Sequence, residues 1–183
     1  MPRVLIVGAS RGIGLGLVER HLAGGWEVNA TTRDASPPGG QAETATHRLD
    51  VTDTAQLAGM VESFDQPFDR IIHNAGIMRG ARDQIMAVNA VAPIRVVQAL
   101  LDAGLLVSNG VIALMTSQLG ARRGRTGSLG DYGDSKAALN DEFRRRADAW
   151  REAGAMAVVI HPGWVRTDMG GSGASISVTE SAD

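Results

Sequence analysis

Tyr132 and Lys136 stand four residues apart in the run Tyr132-Gly133-Asp134-Ser135-Lys136. If this run opens a helix, the two side chains lie one turn apart on the same face. A free tyrosine has a pKa near about 10 and is a poor base at neutral pH, but a nearby ammonium group lowers that pKa. Tyr132 is the only tyrosine in the chain. It is therefore the predicted group for passing a proton to or from a substrate oxygen.

A glycine-rich turn lies near the start of the chain, in the run Gly8-Ala9-Ser10-Arg11-Gly12-Ile13-Gly14. It follows a short apolar, β-branched run and precedes apolar residues at helical spacing, an order typical of a dinucleotide-binding βαβ unit. Glycine allows the backbone to approach a pyrophosphate closely, and free N–H groups at the helix start receive its charge. The spacing departs from the usual G-x-G-x-x-G, so an ordinary glycine-rich loop remains an alternative.

The elements that must position these residues alternate along the chain. The predicted strands occupy residues 3–7, 26–32, 47–51, 68–73, 110–115 and 155–160. The predicted helices cover the stretch that ends at Gly24, and then residues 54–63, 82–103 and 131–153. This alternation predicts an α/β domain with a Rossmann-like, doubly wound parallel sheet in an α/β/α arrangement.

Ligands of such a sheet bind beyond the carboxyl ends of its strands. The predicted strand ends carry the glycine turn, Arg33, Asp50, Asn74-Ala75-Gly76, Ser117 and Pro162-Gly163. Their convergence on one edge is more specific than any single motif.

Composition limits the classes of function. Of the 183 residues, 44% are hydrophobic, which is enough to form one domain with a buried hydrophobic core. A formal net charge of −2 provides no basic field to recruit nucleic acid or an anionic membrane. The chain has no cysteine, which excludes disulfides, thiolate catalysis and zinc–sulfur sites. Met1-Pro2-Arg3 leads directly into the first strand, so we expect no signal peptide and a cytoplasmic protein.

Together these motifs resemble those of the short-chain dehydrogenases/reductases, over nearly all of residues 3–170. The motifs that carry the resemblance are Gly8 to Gly14, His73-Asn74-Ala75-Gly76, Asn89, Ser117, Tyr132-x-x-x-Lys136 and Pro162-Gly163-Trp164-Val165-Arg166-Thr167. The run that begins at Pro162 is most similar to the C-factor branch of the carbonyl-reductase-like members.

The resemblance implies direct hydride transfer between a carbonyl and an alcohol, with no metal. Tyr132 would be the catalytic acid/base, and Lys136 would lower its pKa and hold the nicotinamide ribose. Ser117 would bind the substrate oxygen. Asn89 would hold a water that links Lys136 to solvent.

The resemblance also implies the cofactor contacts. The glycine turn contributes Gly8, Ser10, Arg11, Gly12, Ile13 and Gly14. Asp50 and Val51 would lie at the adenine ring, and Asn74, Ala75 and Gly76 would support the adenosine half. The segment with Pro162, Gly163, Val165 and Thr167 would contact the nicotinamide carboxamide and phosphate.

The cofactor itself is predicted from charge. An NAD enzyme commonly places a carboxylate at the end of the second strand, whereas Arg33 stands here and Arg11 lies in the glycine turn. Two guanidinium groups suit a 2′-phosphate, which favours NADP(H) over NAD(H). Asp34 keeps the alternative open, and we interpret it as pointing away from the ribose.

Several residues have an ordinary structural interpretation. His73 is expected to support the core, and Arg122, Arg123 and Arg125 to lie in a solvated loop rather than to bind an anionic substrate. Arg144-Arg145-Arg146 is expected to lie on a charged helix face, with pairs four residues apart between Asp141 and Arg145, Glu142 and Arg146, and Arg144 and Asp148. Trp164 and Met169 could line the substrate pocket or pack under the following loop.

Two departures from the family pattern stand out. The spacing between Ser117 and Tyr132 is about two residues longer than usual, so the intervening loop is expected to bulge. Family members usually continue into one more helix and strand, and we expect this chain either to be a truncated form or to lack that edge. The expected organisation is a catalytic domain of residues 1–169, a flexible segment of residues 170–183 without helix or strand, and an open sixth strand. An NADP-binding regulatory or signalling protein on the same scaffold is therefore the alternative function.

Helices 82–103 and 131–153 resemble those that pair between subunits in the family, which predicts a homo-oligomer, a dimer or tetramer.

Overall fold

A parallel sheet of six strands in the order β3-β2-β1-β4-β5-β6 forms the centre of the computed structural model, which describes residues 1–121 and 130–183. The strands are β1 Arg3–Val7, β2 Glu27–Thr32, β3 Ala45–Arg48, β4 Phe68–His73, β5 Leu106–Met115 and β6 Met156–Ile160. The helices are α1 Gly12–Ala23, α2 Thr54–Glu62, α3 Arg82–Met86, α4 Ala92–Asp102, α5 Gly130–Glu152 and α6 Val178–Ala182. The predicted doubly wound α/β fold is confirmed.

The first strand lies in the middle of this sheet. Its residues Val4 to Val7 are fully buried, and Val4 pairs with Val28 of β2 on one side and Arg70 of β4 on the other. A strand that is buried on both faces reads as a continuous apolar run, which explains its sequence. This position brings the glycine turn to the middle of the sheet's carboxyl edge.

Two helical layers cover the sheet. On one face, Ile6 of β1 and Ala30 of β2 pack with Val18 of α1. On the other face, a larger core joins the sheet to α2, α4 and α5. Its members include Leu5, Leu57, Ile71, Leu100, Ile112 and Leu139.

The helix predicted over residues 82–103 has a π-helical turn, Ala87–Val91, between α3 and α4. The continuous segment Arg82–Asp102 is long and apolar enough to cross a membrane by length and composition alone, and half of its apolar window is buried in the fold. Val96 and Leu100 of this segment belong to the larger core. Its apolar composition is thus accounted for by helix–sheet contact.

The third strand begins two residues earlier than predicted and ends at Arg48, so Asp50 and Val51 follow the strand instead of ending it. Asp50 forms a turn in which its carboxylate accepts hydrogen bonds from the backbone N–H and the hydroxyl of Thr52, at 2.9 and 2.7 Å. An Asp that bonds to the backbone two residues on favours a turn over a strand.

Residues 170–183, expected to lack helix and strand, contain the short helix α6 and the bridge between Ile176 and Val165. The Ser177 hydroxyl accepts from the N–H of Glu180, whose carboxylate in turn accepts from Ser177, forming a capping box. Val178 then packs on α1, where a Cβ added at Gly16 would lie 2.4 Å from its Cγ1. Local capping and contact with α1 together fix this helix.

The sixth strand has no neighbour on its outer side within the part of the chain that the structure describes. Its alternate residues Met156, Val158 and Ile160 are exposed. The predicted bulge between Ser117 and Tyr132, and the arginines at 122, 123 and 125, lie outside the described residues.

The charged face of α5 forms, with the predicted pair of Glu142 and Arg146 and with two further pairs at a spacing of three residues, where a spacing of four was predicted. Glu142 pairs with Arg146, four positions on, and with Arg145, while Arg144 pairs with Asp141. These side chains form ion pairs with one another along an exposed helix surface.

Candidate active site

The ends of β5 and α5 bring Ser117 and Tyr132 together. Ser117 lies two residues after Met115, the last residue of β5, and Tyr132 lies in the first turn of α5. A hydrogen bond joins their side-chain hydroxyls. Two hydroxyls in contact at the carboxyl edge of a parallel sheet are suited to bind and protonate one oxygen atom of a ligand.

Lys136 lies one turn further along α5 and is only 3% exposed. Its Nζ donates a hydrogen bond of 2.8 Å to the carbonyl oxygen of Met115 and lies 5.9 Å from the ring centre of Tyr132. Burial lowers the pKa of Lys136 from 10.5 to about 8. An amine with that pKa exchanges protons close to neutral pH.

Burial raises the pKa of Tyr132 above its ordinary value of 10, and the hydrogen bond from Ser117 opposes that rise. The prediction that the Lys136 ammonium lowers this pKa is therefore wrong for the chain on its own. The reason is that loss of water around the phenolate raises the pKa by more than the hydrogen bond from Ser117 lowers it. The amine is meanwhile turned towards a backbone carbonyl.

Asn89 is fully buried in the π-helical turn. Its side-chain amide donates to the carbonyl oxygen of Ile77 at 2.7 Å and accepts from the N–H of the same residue at 2.9 Å. A Cβ added at Gly76 would lie 3.2 Å from Asn89 Oδ1 and 3.6 Å from Lys136 Nζ. Asn89 thus fixes the backbone beside the amine, and π-helical turns are frequent at such functional positions.

The glycine turn leaves no room for side chains. Gly8 has φ +84°, and a Cβ there would lie 2.6 Å from Cα of Ala75. A Cβ at Gly14 would lie 2.2 Å from the carbonyl oxygen of Gly8, which also accepts a 2.7 Å hydrogen bond from the Asn74 side chain. Helix α1 then begins at Gly12, and Arg11 before it provides no side-chain cap, which leaves the first N–H groups of the helix available to a phosphate.

Charged side chains follow β2 and β3 at the carboxyl edge of the sheet. The Asp34 carboxylate accepts from the N–H of Ser36 at 3.1 Å, so it bonds to its own loop, which lowers its pKa. Hydrogen bonds from Thr52, and then the charge of Arg33, lower the pKa of Asp50. Arg33 therefore lies near enough to Asp50 to influence it.

The segment after β6 reaches the glycine turn. Gly163 has φ +90°, and a Cβ there would lie 2.5 Å from Cδ1 of Ile176. Thr167 lies against the turn, since a Cβ added at Gly12 would lie 3.2 Å from its Cγ2. The structure thus brings the Pro162–Thr167 segment and the glycine turn together.

Residues 2–175 match the family of short chain dehydrogenases. The chain belongs to the short-chain dehydrogenase family. Its members are oxidoreductases that act on CH–OH and C=O groups, and the relatives below place this chain near the carbonyl reductase and C-factor branch.

Among curated relatives, C-signal of Myxococcus xanthus is 35% identical over 126 residues, which cover 63% of this chain and 76% of that protein. An uncharacterized oxidoreductase of Schizosaccharomyces pombe is 34% identical over 90% of this chain and 74% of its own length. The structure of a carbonyl reductase from Pseudomonas aeruginosa in complex with NADP is 36% identical, with a TM-score of 0.84 over 100% of this chain and 87% of that one. A short-chain dehydrogenase/reductase from Burkholderia multivorans with bound NADP gives a TM-score of 0.89 at 32% identity, over 99% and 87% of the two chains.

Ser135 of this short-chain dehydrogenase was not singled out from the sequence. Its buried hydroxyl donates to the carbonyl oxygen of Tyr132 at 2.7 Å and accepts from the Asn89 amide at 3.0 Å. It therefore ties the first turn of α5 to the π-helical turn. Its position three residues after Tyr132 was the available signal, because such residues share a helix face.

His73 at the end of β4 is buried, as expected for a core histidine, and its Nε2 has no hydrogen-bond partner among the described residues. Burial, and then the charge of Lys136, lowers its pKa to about 3. His73 is therefore neutral at physiological pH. A neutral side chain here avoids placing a second positive charge beside Lys136.

Proposed function

We propose that this chain is a cytoplasmic, NADP(H)-dependent oxidoreductase that interconverts a carbonyl and an alcohol by direct hydride transfer. The observation that carries the proposal is the contact between the Ser117 and Tyr132 hydroxyls, one helical turn from buried Lys136 and at the same sheet edge as the glycine turn. A regulatory protein that only binds a nucleotide would require the glycine turn but not the cluster of Ser117, Tyr132 and Lys136.

When bound, the nicotinamide supplies or accepts the hydride. In the reducing direction, the substrate oxygen gains electron density as its carbon gains the hydride. Ser117 donates a hydrogen bond to that oxygen, and the Tyr132 hydroxyl transfers its proton to it. The raised pKa of Tyr132 keeps the hydroxyl protonated and ready for this transfer.

Lys136 restores the proton to Tyr132 in this proposal and holds the nicotinamide ribose. Its pKa of about 8 allows it to take up and release a proton near neutral pH. Asn89 lies beside the amine across Gly76, and we assign it the support of a water through which the proton comes from solvent.

The preference for NADP(H) rests on the charges at the adenosine edge. Arg11 and Arg33 are exposed there, whereas the Asp34 carboxylate is engaged by Ser36. Guanidinium groups match a phosphate dianion with a planar set of donors. The NADP complexes of the Pseudomonas aeruginosa and Burkholderia multivorans neighbours support the same choice.

We test the function by following NADPH and NADH oxidation against a panel of aldehydes and ketones. We expect turnover of at least one carbonyl compound and a higher kcat/KM with NADPH. A clear preference for NADH would contradict the role of Arg11 and Arg33. Absence of turnover with NADPH binding intact would favour a regulatory protein over an enzyme.

We further propose a homo-oligomer, a dimer or tetramer, formed through the outer faces of α4 and α5. A groove of about 570 Å³ lies between these helices. It is lined by the apolar residues Val91, Ile94 and Ala138 and by the charged residues Arg95, Glu142 and Arg146. Val91 is 54% exposed, although it is apolar. An apolar patch with a charged rim is typical of a subunit interface.

A further inference from the structure

An ion pair crosses the mouth of the proposed cofactor site. Arg11 of the glycine turn and Asp168 of the segment after β6 lie 157 residues apart in sequence, and the guanidinium contacts the carboxylate at 2.7 Å. Both side chains are exposed, at 72% and 74%. The neighbouring Thr167 lies against Gly12, so the two segments also meet through the Thr167 side chain.

We propose that Asp168 reduces the preference of this chain for NADPH by competing with the 2′-phosphate for Arg11. This inference rests on the proposed function. Carboxylate and phosphate oxygens bind the same planar set of guanidinium donors, so one occupant weakens the other. If Arg11 kept its contact with Asp168, the carboxylate would still repel a phosphate dianion nearby. In both arrangements Asp168 opposes NADPH and leaves NADH, which lacks that phosphate, unaffected.

The size of the effect follows from exposure. An exposed ion pair contributes little free energy to stability or binding. Its removal therefore changes an equilibrium constant by at most about fivefold. Asp168 therefore moderates the selectivity that Arg11 and Arg33 create and does not reverse it. Because the interaction is between exposed charges, it weakens as salt is added.

The test compares Asp168→Asn with the unmodified chain in titrations with NADPH and with NADH, read by quenching of tryptophan fluorescence. We expect the Kd for NADPH to fall about two- to fivefold in the variant and the Kd for NADH to stay unchanged. The gain should be smaller in the Arg11→Gln background, since only the direct repulsion between Asp168 and the phosphate is then relieved, and it should shrink at 1 M salt.

Asp183→Asn is the matched control, because Asp183 pairs with Arg20 at 2.7 Å and also ties the C-terminal segment to α1, away from the glycine turn. We expect it to leave the ratio of the two Kd values unchanged. An unchanged ratio in Asp168→Asn, or an equal gain in Asp183→Asn, would overturn the inference and leave the proposed function intact. Failure of the unmodified chain to bind either nucleotide would overturn both.

Discussion

The hydroxyl of Tyr132 is the one group for which the proposed reaction has no substitute. Tyr132→Phe removes the proton donor and keeps the ring that packs beside Lys136. We expect kcat to fall by a factor of about 10²–10⁴, with the Kd for NADPH within about threefold of its original value. Stopped-flow turnover and a fluorescence titration measure the two quantities.

Retained turnover in Tyr132→Phe would eliminate the proposed mechanism. A parallel loss of NADPH binding would show instead that the substitution had damaged the site. Ser117→Ala serves as a comparison, since it removes a hydrogen bond to the substrate oxygen but leaves the proton donor in place.

Lys136 carries a cost in stability that its function explains. Its pKa is about 8 in the folded chain, against about 10.4 for an unfolded chain. Because the unfolded chain holds a proton that the folded chain has lost, the free energy of unfolding rises with pH between these two values. At neutral pH, where both forms are protonated, burial of the charge opposes folding.

We therefore expect Lys136→Met to abolish turnover and to raise the free energy of unfolding by about 1–3 kcal/mol at pH 7. The gain should narrow as the pH increases from 8 to about 10.4, since the lysine of the unmodified chain is then neutral in the fold. Urea unfolding at a series of pH values measures it. A gain that stays constant with pH would mean that the charge of Lys136 is not its source.

The sequence predicted the positions of site residues that strand ends and helical spacing determine, but not the properties that depend on their surroundings. Ser117, Tyr132 and Lys136 lie at the same sheet edge because a strand end and helical spacing determine their positions. The direction of the Tyr132 pKa was wrong, because it depends on the surrounding water, which the spacing of two residues does not reveal. Ser135 was missed for a related reason, since its role appears only when α5 contacts the π-helical turn.

At the scale of elements, α6 depends on a glycine in its neighbour. Gly16→Ala in α1 would place a methyl group 2.4 Å from Val178. Although alanine favours a helix over glycine, we expect this variant to lower the free energy of unfolding because α6 must move away. Thermal unfolding followed by circular dichroism provides the measurement.

Gly59→Ala in α2 is the control, because nothing lies within 4 Å of a Cβ at that helical position. It should raise stability by about 0.4–1 kcal/mol. Adding Val178→Ala to Gly16→Ala should recover part of the loss. Equal stabilisation by both glycine substitutions would mean that α6 does not pack on α1 in solution.

The same contact explains why this helix was not expected from the sequence. The run from Ser177 to Glu180 has the spacing of a capping box, but five residues are too few for a helix to be stable alone. Strand β1 was predicted to the residue because burial on both faces produces the unbroken apolar run from Val4 to Val7. Short elements that depend on a neighbour give no such pattern.

At the scale of the whole molecule, the proposed oligomer requires that Val91 lie in the interface between subunits. Val91→Lys adds a charge to the groove beside Arg95 and Arg146. We expect the repulsion to shift a dimer or tetramer towards the monomer. Light scattering coupled to size-exclusion chromatography measures the mass.

Val158→Lys is the matched substitution, since Val158 is another exposed valine, on β6 and away from the groove. It should leave the mass unchanged. Dissociation by this variant alone would move the interface to the open edge of the sheet. A monomeric unmodified chain would contradict the proposed assembly altogether.

The strand order has a consequence during synthesis. β1 is made first, yet its partner across Val4 includes Arg70, 66 residues later. At ribosomal rates of about 5–20 residues per second, this delay is roughly 3–13 s. Throughout that interval α1 and β2 are the only packing partners of the apolar strand β1 that have already been synthesised, so a nascent chain of this length is an expected client of chaperones that bind short apolar segments.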